Sequence, residues 1–156
     1  MTPVKRNGWT LLKHPAFSET FDELVEEVRA LKRVGDSDWK IHPSAKRLKR
    51  LSEVMFEEIP SAPDADEYRQ GKTLGAAHKH WRRAKIGRLR LFFRYDSTAK
   101  IIVFGWLNDD DTLRKSGART DPYEVFKSRL VRGDPPDDWD DLVRAAGGKA
   151  EGPNAR

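Results

Sequence analysis

A basic segment between Gln70 and Tyr95 carries eight Lys or Arg residues and no Asp or Glu. The eight are Lys72, Lys79, Arg82, Arg83, Lys85, Arg88, Arg90 and Arg94. Because these residues contribute +8 and the whole chain of 156 residues has a formal net charge of +5, the remainder of the chain sums to −3. Guanidinium groups form paired hydrogen bonds with phosphate oxygens. The segment therefore predicts binding of an anionic polymer through its phosphates.

The second half of this segment alternates as a β-strand does. Side chains on a strand point to opposite faces in turn, which places Leu89, Leu91, Phe93 and Tyr95 on one face and Arg88, Arg90 and Arg94 on the other. We expect a sheet with an apolar back and a cationic front. The alternative is that the arginines only solvate an exposed strand. Arg83 and Lys85 share a parity on the preceding strand and can lie beside this arginine row.

The first elements of the fold follow from the spacing of the apolar residues. Gly8–Lys13 predicts a short strand, and the apolar residues of Phe17–Leu31 recur at helical spacing up to a stop at Gly35. A second helix is predicted over Pro43–Ile59, with Pro60 as its terminator.

Three strands and two short helices complete the predicted fold. Strands are expected near His80–Ile86, at Arg88–Tyr95 after a tight turn at Gly87, and at Ile101–Leu107, which is apolar on both faces and therefore central. Asp121 caps a helix that begins with Pro122, and a final short helix begins near Trp139. This order predicts one α+β domain over residues 1–146, with helices on a small, mainly antiparallel sheet, and a disordered tail over 147–156.

The composition excludes several classes of protein. The chain has no cysteine, which rules out disulfides and thiolate metal sites. No apolar run approaches the ~20 residues that a membrane helix needs, and the N-terminal part lacks the apolar core of a secretory signal. A soluble cytoplasmic protein without a membrane partner is predicted.

Several short motifs, in the same order along the chain, resemble the YhaV toxins of bacterial type II toxin–antitoxin systems. They are Asn7-Gly8-Trp9, His14-Pro15-Ala16-Phe17, Gly71-Lys72-Thr73-Leu74-Gly75, Arg90-Leu91-Phe92-Phe93-Arg94-Tyr95, Gly105-Trp106-Leu107-Asn108-Asp109, Thr112-Leu113-Arg114, Thr120-Asp121-Pro122-Tyr123 and Gly133-Asp134-Pro135-Pro136 followed by Trp139. The resemblance runs from about Asn7 to Leu142. It implies a RelE-like α+β fold, in which two N-terminal helices and a C-terminal helix pack on the sheet.

The resemblance also implies a function and partners. The expected activity is that of an endoribonuclease that cleaves mRNA during translation, on or near the ribosome. The expected partner is an antitoxin with an AbrB-like fold of the PrlF type, which covers the arginine face or fastens to an edge strand near Trp9.

Candidate site residues follow from the basic segment and from the family motifs. Arg83 and Arg90 match basic positions of the family, and Arg114 and Tyr123 match positions where RelE-like toxins carry a cation and an aromatic residue near the scissile phosphate. Tyr123 can equally be a packed aromatic in the first turn of its helix. For RNA binding we expect Lys79, His80, Trp81, Arg82, Arg88, Arg94 and Lys127, and the rings of Trp81 and Tyr123 are candidates for stacking on bases.

The chemistry that these residues suit needs no metal ion. The ribose 2′-hydroxyl of RNA attacks the adjacent phosphorus in line and leaves a 2′,3′-cyclic phosphate and a free 5′-hydroxyl. The protein then orients the strand, accepts a proton, neutralises the phosphorane and protonates the leaving oxygen. A lysine can serve as the base only if neighbouring cations lower its pKa from ~10.4. Lys85 stands among several arginines and is the candidate for that role.

Two other clusters suggest a metal, and each has a plainer interpretation. His78 and His80 would share one face of a strand, which suits a metal or proton transfer, but no third ligand accompanies them in sequence. Asp109-Asp110-Asp111 suggests a Mg²⁺ nuclease, but three consecutive residues cannot all face one point, so a solvated acidic turn is favoured. His14 and His42, each before a proline, are expected to be helix-entry residues. No metal or cofactor is predicted.

The alternative from another class is a non-catalytic protein that binds RNA or the ribosome through the same cationic face and so blocks translation. Both classes bind RNA in a salt-dependent way, and therefore only the appearance of new RNA ends separates them.

Overall fold

A computed structural model of the chain describes residues 3–35, 37–109 and 120–148. The strands are β1 (Val4–Arg6), β2 (Trp9–Lys13), β3 (Arg82–Ile86), β4 (Leu89–Asp96) and β5 (Ile101–Leu107). The helices are α1 (Pro15–Arg33), α2 (Pro43–Glu53), α3 (Ile59–Ser61), α4 (Pro122–Val131) and α5 (Trp139–Ala145). Short 3₁₀ turns lie at Trp39–Ile41, Asp66–Tyr68 and Ala76–His78. The predicted α+β class is confirmed.

The described strands form one mixed sheet in the order β1-β2-β5-β4-β3. Neighbouring strands are antiparallel except β2 and β5, which run parallel. β5 is therefore central, as predicted. β1 was not predicted from the sequence, because all three of its side chains are exposed and no periodic pattern marks it. β1 takes the sheet edge and pairs its Arg6 with Trp9, so the edge strand expected near Trp9 is β1 and not the strand that contains Trp9.

Helices α1 and α2 cover one face of the sheet, and each begins at a His-Pro pair. Nδ1 of His14 accepts the N–H of Ala16 at 2.9 Å, and Nδ1 of His42 accepts the N–H of Ser44 at 3.1 Å. Proline suits the first helical position because its fixed φ is helical and the N–H that it lacks would have no helical partner there. The prediction that both histidines are helix-entry residues is confirmed.

The second helix runs past the terminator that the sequence predicts. A π-helical turn over Val54–Glu58 follows α2, and α3, which contains Pro60, follows that turn. The N–H of Ile59 bonds to the carbonyl of Val54, five residues back. This wide turn accepts a proline whose ring would clash with the carbonyl four residues earlier in an α-helix. Termination at Pro60 is therefore wrong, and the helix ends at Ser61.

Helices α4 and α5 cover the other face of the sheet, so two helices stand where the family resemblance implied one. The core on this side joins Phe126, Leu130, Leu142 and Val143 of the helices to Leu12, Phe92, Val103 and Trp106 of the strands. The predicted open cationic face is wrong, because Phe92 lies between Arg90 and Arg94 and stacks on Phe126 with 4.3 Å between ring centroids. The predicted alternation is right, since Leu89, Leu91 and Phe93 are buried in the core under α1 and α2.

One residue of β5 is out of register with β4. Phe92 pairs with Trp106 and Phe93 with Phe104, so Gly105 forms a bulge. The fully buried ring of Trp81 lies over this glycine, where a Cβ would be 2.5 Å from the ring. The bulge changes the parity of β5, and so it turns Trp106 toward α4.

The end of the described chain is held by α5. The N–H groups of Gly147 and Gly148 bond to the carbonyls of Arg144 and Val143. The first two residues of the predicted tail thus close the helix, and the rest of that tail, 149–156, lies outside the described residues. Among residues 3–35, 37–109 and 120–148, no helix combines the length and the apolarity needed to cross a membrane.

Candidate active site

Two arginines from adjacent strands meet one tyrosine hydroxyl. Nε of Arg83 on β3 donates to Oη of Tyr123 at 2.9 Å, and Nε of Arg90 on β4 donates to the same oxygen at 3.2 Å. We call these three residues the Arg–Tyr cluster. All three are predicted catalytic residues, and the structure brings them together.

The β3–β4 hairpin sets the positions of the basic side chains. Lys85 pairs with Arg90 and Arg83 pairs with Phe92 across the hairpin, so the three basic residues face the same side of the sheet. The sequence analysis left this juxtaposition open because it depends on the turn. Gly87 makes the turn possible with a φ of +60°, a conformation that favours glycine. Lys85 is exposed at the edge of the cluster.

Arg90 is held by the backbone around it and is only 8% exposed. Its Nη1 donates to the carbonyls of Gly87 at 2.8 Å and Leu89 at 2.9 Å. Its backbone N–H donates to Oδ1 of Asn108 at 2.6 Å. Asn108 is fully buried at the end of β5, and the sequence analysis missed it. The available signal was a polar residue directly after an apolar central strand.

Tyr123 stands in the first turn of α4. The Asp121 carboxylate caps this helix and accepts the N–H of Tyr123 at 3.4 Å, and Pro122 takes the first helical position. The buried Tyr123 ring meets Phe92 edge-on with 5.6 Å between centroids. The two interpretations of Tyr123 therefore hold together, because the ring is packed while the hydroxyl meets the two arginines.

Arg83 links the cluster to the segment before β3. Its Nη1 donates to the carbonyl of Glu67 at 2.8 Å, within the 3₁₀ turn Asp66–Tyr68. The Arg83 side chain is half-buried. It therefore combines a fixed direction with access to solvent, which a group that binds a ligand needs.

The Arg–Tyr cluster is suited to a phosphate. It places two guanidinium groups and a hydroxyl at the N-terminal end of α4, where the helix dipole favours negative charge. Oη of Tyr123 accepts an N–H bond from each guanidinium group, which fixes the hydroxyl between the two positive charges. Donors fixed in this way stabilise charge that grows on phosphate oxygens during displacement at phosphorus.

Part of the predicted site lies outside the described residues. This holds for Arg114, a predicted catalytic residue, and for Asp110 and Asp111 of the acidic run. Asp109 is described and exposed. Within the described ranges, no three His, Asp or Glu side chains are grouped as metal ligands are.

Two of the predicted RNA-binding residues have structural roles instead. Trp81 is fully buried, and its Nε1 donates to Oδ1 of Asp137 at 2.8 Å, so the prediction that it stacks on a base is wrong. Arg94 lies 5.7 Å from the ring centroid of Trp81 and 5.5 Å from that of Trp139, and it donates to the carbonyl of Asp137. Burial lowers the pKa of Arg94. Its predicted place in an open arginine row is therefore wrong.

The other predicted RNA-binding residues differ in their surroundings. Lys79, His80 and Arg88 are exposed, and Nζ of Lys127 lies 3.5 Å from Oε2 of Glu124. Arg82 points to the α1 side of the sheet, with its guanidinium carbon 5.6 Å from the ring centroid of Tyr95. RNA binding by these five residues stays a prediction.

The two histidines of the basic segment do not share a strand. His78 ends the 3₁₀ turn Ala76–His78, and β3 begins only after His80, at Arg82. The predicted placement of both imidazoles on one strand face is therefore wrong. Nδ1 of His78 lies 3.4 Å from Oδ1 of Asp137, which ties this turn to the loop before α5.

Comparisons with known proteins agree on one family. A family described as "Toxin with endonuclease activity, of toxin-antitoxin system" matches residues 11–147. Toxin YhaV of Escherichia coli O6:H1 is 44% identical over 145 residues, which cover 91% of this chain and 94% of the relative. Ribonuclease toxin YhaV of Escherichia coli strain K12 matches over the same shares with the same identity.

Among solved structures, the toxin–antitoxin complex RelBE2 of Mycobacterium tuberculosis contains a similar chain. That chain is 15% identical, with a TM-score of 0.42, and the match covers 69% of the present chain and 92% of the other. A likeness this distant carries no conclusion about function.

The match over nearly the whole chain defines an endonuclease toxin of a toxin–antitoxin system. The chain belongs to the YhaV toxin family. A toxin of such a system has an antitoxin as its partner. The non-catalytic alternative is set aside, because the activity of the family is that of an endonuclease.

Proposed function

We propose that this toxin cleaves mRNA through attack by the ribose 2′-hydroxyl, without a metal ion, and that the Arg–Tyr cluster surrounds the scissile phosphate. The observation that carries the proposal is the convergence of Nε of Arg83 and Nε of Arg90 on one hydroxyl oxygen. The name of the ribonuclease toxin from strain K12 supports RNA as the substrate.

Each group of the cluster takes a role that its surroundings support. Arg83, half-buried and open to solvent, binds a non-bridging phosphate oxygen. Arg90, held by two backbone carbonyls, supplies fixed positive charge as the phosphorane forms. Tyr123 donates a hydrogen bond to the phosphate or to the leaving oxygen. Lys85, exposed opposite Arg90, is the candidate base, and Arg114 is the candidate further cation.

The substrate is an RNA strand in use for translation. Exposed Lys79, His80 and Arg88 flank the cluster along the basic segment and are suited to hold neighbouring phosphates. Action on mRNA at the ribosome places the toxin in the cytoplasm. We assign this work to a single domain over residues 1–146.

The antitoxin that restrains this activity is proposed to have an AbrB-like fold of the PrlF type. An acidic segment laid over the Arg–Tyr cluster would mask the guanidinium groups and would associate rapidly with them. β1 rather than β2 is the strand that offers an edge for pairing with such a partner, since β2 lies between β1 and β5.

The proposal is tested with Arg83→Ala and with Arg132→Ala, a matched loss of an exposed arginine beyond α4. Arg83 is chosen for substitution because its half-buried side chain can be removed while the core stays intact. Arg90→Ala is less suitable, because it also leaves the carbonyls of Gly87 and Leu89 without the hydrogen-bond donor that Arg90 supplies. We expect mRNA cleavage in a reconstituted translation system to slow by about 10²–10³ for Arg83→Ala, as for loss of one transition-state donor. Arg132→Ala should cleave at the wild-type rate.

A substrate change tests the nucleophile. We expect an mRNA with a 2′-deoxynucleotide at the mapped cleavage position to resist cleavage, and the natural mRNA to yield a 2′,3′-cyclic phosphate and a 5′-hydroxyl. Cleavage of the deoxy-substituted mRNA, or a 5′-phosphate on the product, would show that the 2′-hydroxyl is not the nucleophile and would overturn the mechanism. An Arg83→Ala variant as active as the wild type would show that the site is elsewhere.

A further inference from the structure

A basic cleft of about 450 Å³ lies beside β3, away from the Arg–Tyr cluster. Its lining consists of Arg69, Gln70, Gly71, Lys72, Lys79 and Arg82. We call these six residues the basic cleft. Four of the six carry a positive charge, and none has an apolar side chain.

The wall of the cleft is a built loop. Gln70 is 4% exposed, and its Nε2 donates to the carbonyl of His78 at 2.9 Å. Oε1 of Gln70 accepts the N–H of Leu74 and the hydroxyl of Thr73, both at 2.9 Å. One buried amide thus joins the start, the middle and the end of the loop. Lys72 and Lys79 project from a fixed backbone as a result.

The charges in the cleft are weakly compensated. Arg69 forms an exposed ion pair with Asp66 at 3.4 Å. Within the described part of the chain, no carboxylate pairs with Lys72, Lys79 or Arg82 in this way. Nε of Arg82 is buried and has no hydrogen-bond acceptor there. Like charges gathered without carboxylates repel one another, and an anionic ligand relieves that repulsion.

The cleft and the Arg–Tyr cluster lie on opposite sides of the same sheet edge, which is formed by β3. Arg82 and Arg83 are consecutive on β3 and therefore point to opposite faces. The segment that contacts Arg83 through the carbonyl of Glu67 continues to Arg69, which forms an isolated antiparallel bridge with Arg82. A polymer leaving the cluster needs only to pass this one edge to reach the cleft.

We infer that the basic cleft binds the phosphate backbone of the same RNA strand that is cut at the Arg–Tyr cluster, a few nucleotides from the scissile bond. The inference rests on the proposed function. An extended chain of phosphates fits a lining in which four of the six residues are cationic. RNA is favoured over a segment of the antitoxin because RNA carries a phosphate at every nucleotide, whereas none of the lining side chains is of an apolar type that would select an apolar residue of a protein partner.

The test compares Lys72→Gln/Lys79→Gln with Lys5→Gln/Lys49→Gln, an equal loss of charge at exposed lysines of β1 and α2. The probes are labelled 2′-O-methyl oligoribonucleotides, which cannot be cut by 2′-hydroxyl attack. One is a trinucleotide that occupies the Arg–Tyr cluster, and the other has roughly 12 nucleotides, within the range of single-strand site sizes. Fluorescence anisotropy over a salt series gives the dissociation constant of each complex.

Loss of two phosphate contacts should reduce the slope of log affinity against log salt by about 1.4 for a single strand, which is about 25-fold in affinity over the decade from 1 M to 0.1 M salt. We expect this loss for the cleft variant with the long probe only, and no difference in slope between the control variant and the wild type. Equal affinity of the cleft variant and the wild type for the long probe overturns the inference, as does an equal loss for both probes. If the cleft variant keeps its affinity for RNA but no longer binds the purified antitoxin, the cleft is a binding site for the antitoxin and the inference is wrong.

These outcomes are separate from a failure of the proposed function. Whether the wild-type toxin creates new mRNA ends is measured on a natural substrate. Whether the cleft contributes to binding is measured on a probe that is never cut. If the toxin creates new mRNA ends but the cleft variant binds the long probe as tightly as the wild type does, only the inference about the cleft is refuted.

Discussion

Removal of a single oxygen atom separates the catalytic role that we propose for Tyr123 from its structural role. Tyr123→Phe keeps the ring that packs edge-on against Phe92 and deletes the acceptor shared by Nε of Arg83 and Nε of Arg90. The fold therefore keeps its core while the two guanidinium groups lose the atom that holds them together.

The effect on stability is limited by what each arginine keeps. A hydrogen bond to a charged group contributes about 1.5–3 kcal/mol, but the half-buried Arg83 regains water as a partner. Arg90 keeps the carbonyls of Gly87 and Leu89 as acceptors. We therefore expect the free energy of unfolding to fall by about 1–3 kcal/mol, within the 5–15 kcal/mol of a typical domain, so the variant stays folded.

The effect on cleavage should be far larger than the loss of folded protein. Removal of one fixed donor to the transition state should slow cleavage by about 10²–10³. Urea unfolding gives the stability, and single-turnover cleavage in a reconstituted translation system gives the rate. Tyr95→Phe, which deletes a hydroxyl from the half-buried tyrosine under Arg82, is the matched control and should change neither value greatly. Wild-type cleavage by Tyr123→Phe would refute the assignment of this hydroxyl to the site.

Two further predictions concern the fold. Gly105→Ala should lower the free energy of unfolding by about 1–3 kcal/mol, as overpacking does, because the new Cβ would be 2.5 Å from the fully buried ring of Trp81. Urea unfolding measures this loss, and an unchanged free energy of unfolding would show that the Trp81 ring can move away from the new Cβ. Burial lowers the pKa of His14 from the usual 6.5, because the neutral imidazole is favoured in the fold. The neutral His14 side chain therefore stabilises the fold fully above about pH 6.5, and this stabilisation is lost as the pH falls through the lower pKa of the folded state. His14→Asn keeps a helix-capping acceptor and should flatten this acid dependence in urea unfolding between about pH 7 and 5. Equal slopes for the wild type and His14→Asn would contradict the reasoning.

The face on which a strand residue lies could be predicted from the sequence, but what covers that face could not. Strict alternation placed Leu91 and Arg90 on opposite sides of β4 correctly, because the period of a strand is fixed by its backbone. The arginine side was predicted to be open, although α4 packs over it on Phe92. One apolar residue between two arginines was the signal that this face also needed a cover.

The site was predicted in part, for reasons that differ among its residues. Arg83 and Arg90 could be expected to lie on neighbouring strands because a short hairpin joins them, whereas no spacing in the sequence indicates that Tyr123 lies beside them. Asn108 was missed because no local pattern shows that a side chain will bond to a backbone N–H eighteen residues earlier. Arg69 was missed because it precedes the acid-free segment and reaches Arg82 only through an isolated bridge.

The parallel pairing of β2 with β5 has a consequence for the order in which the toxin comes into being. β2 joins the main sheet only through β5, since its other neighbour is the three-residue strand β1. A ribosome completes β2 and α1 long before β5, and α4 with Tyr123 comes later still. During most of synthesis, the N-terminal hairpin has no sheet to join, and Arg83 and Arg90 have no hydroxyl between them. The proposed site is therefore assembled only near the end of synthesis, when α4 brings the Tyr123 hydroxyl to the two guanidinium groups.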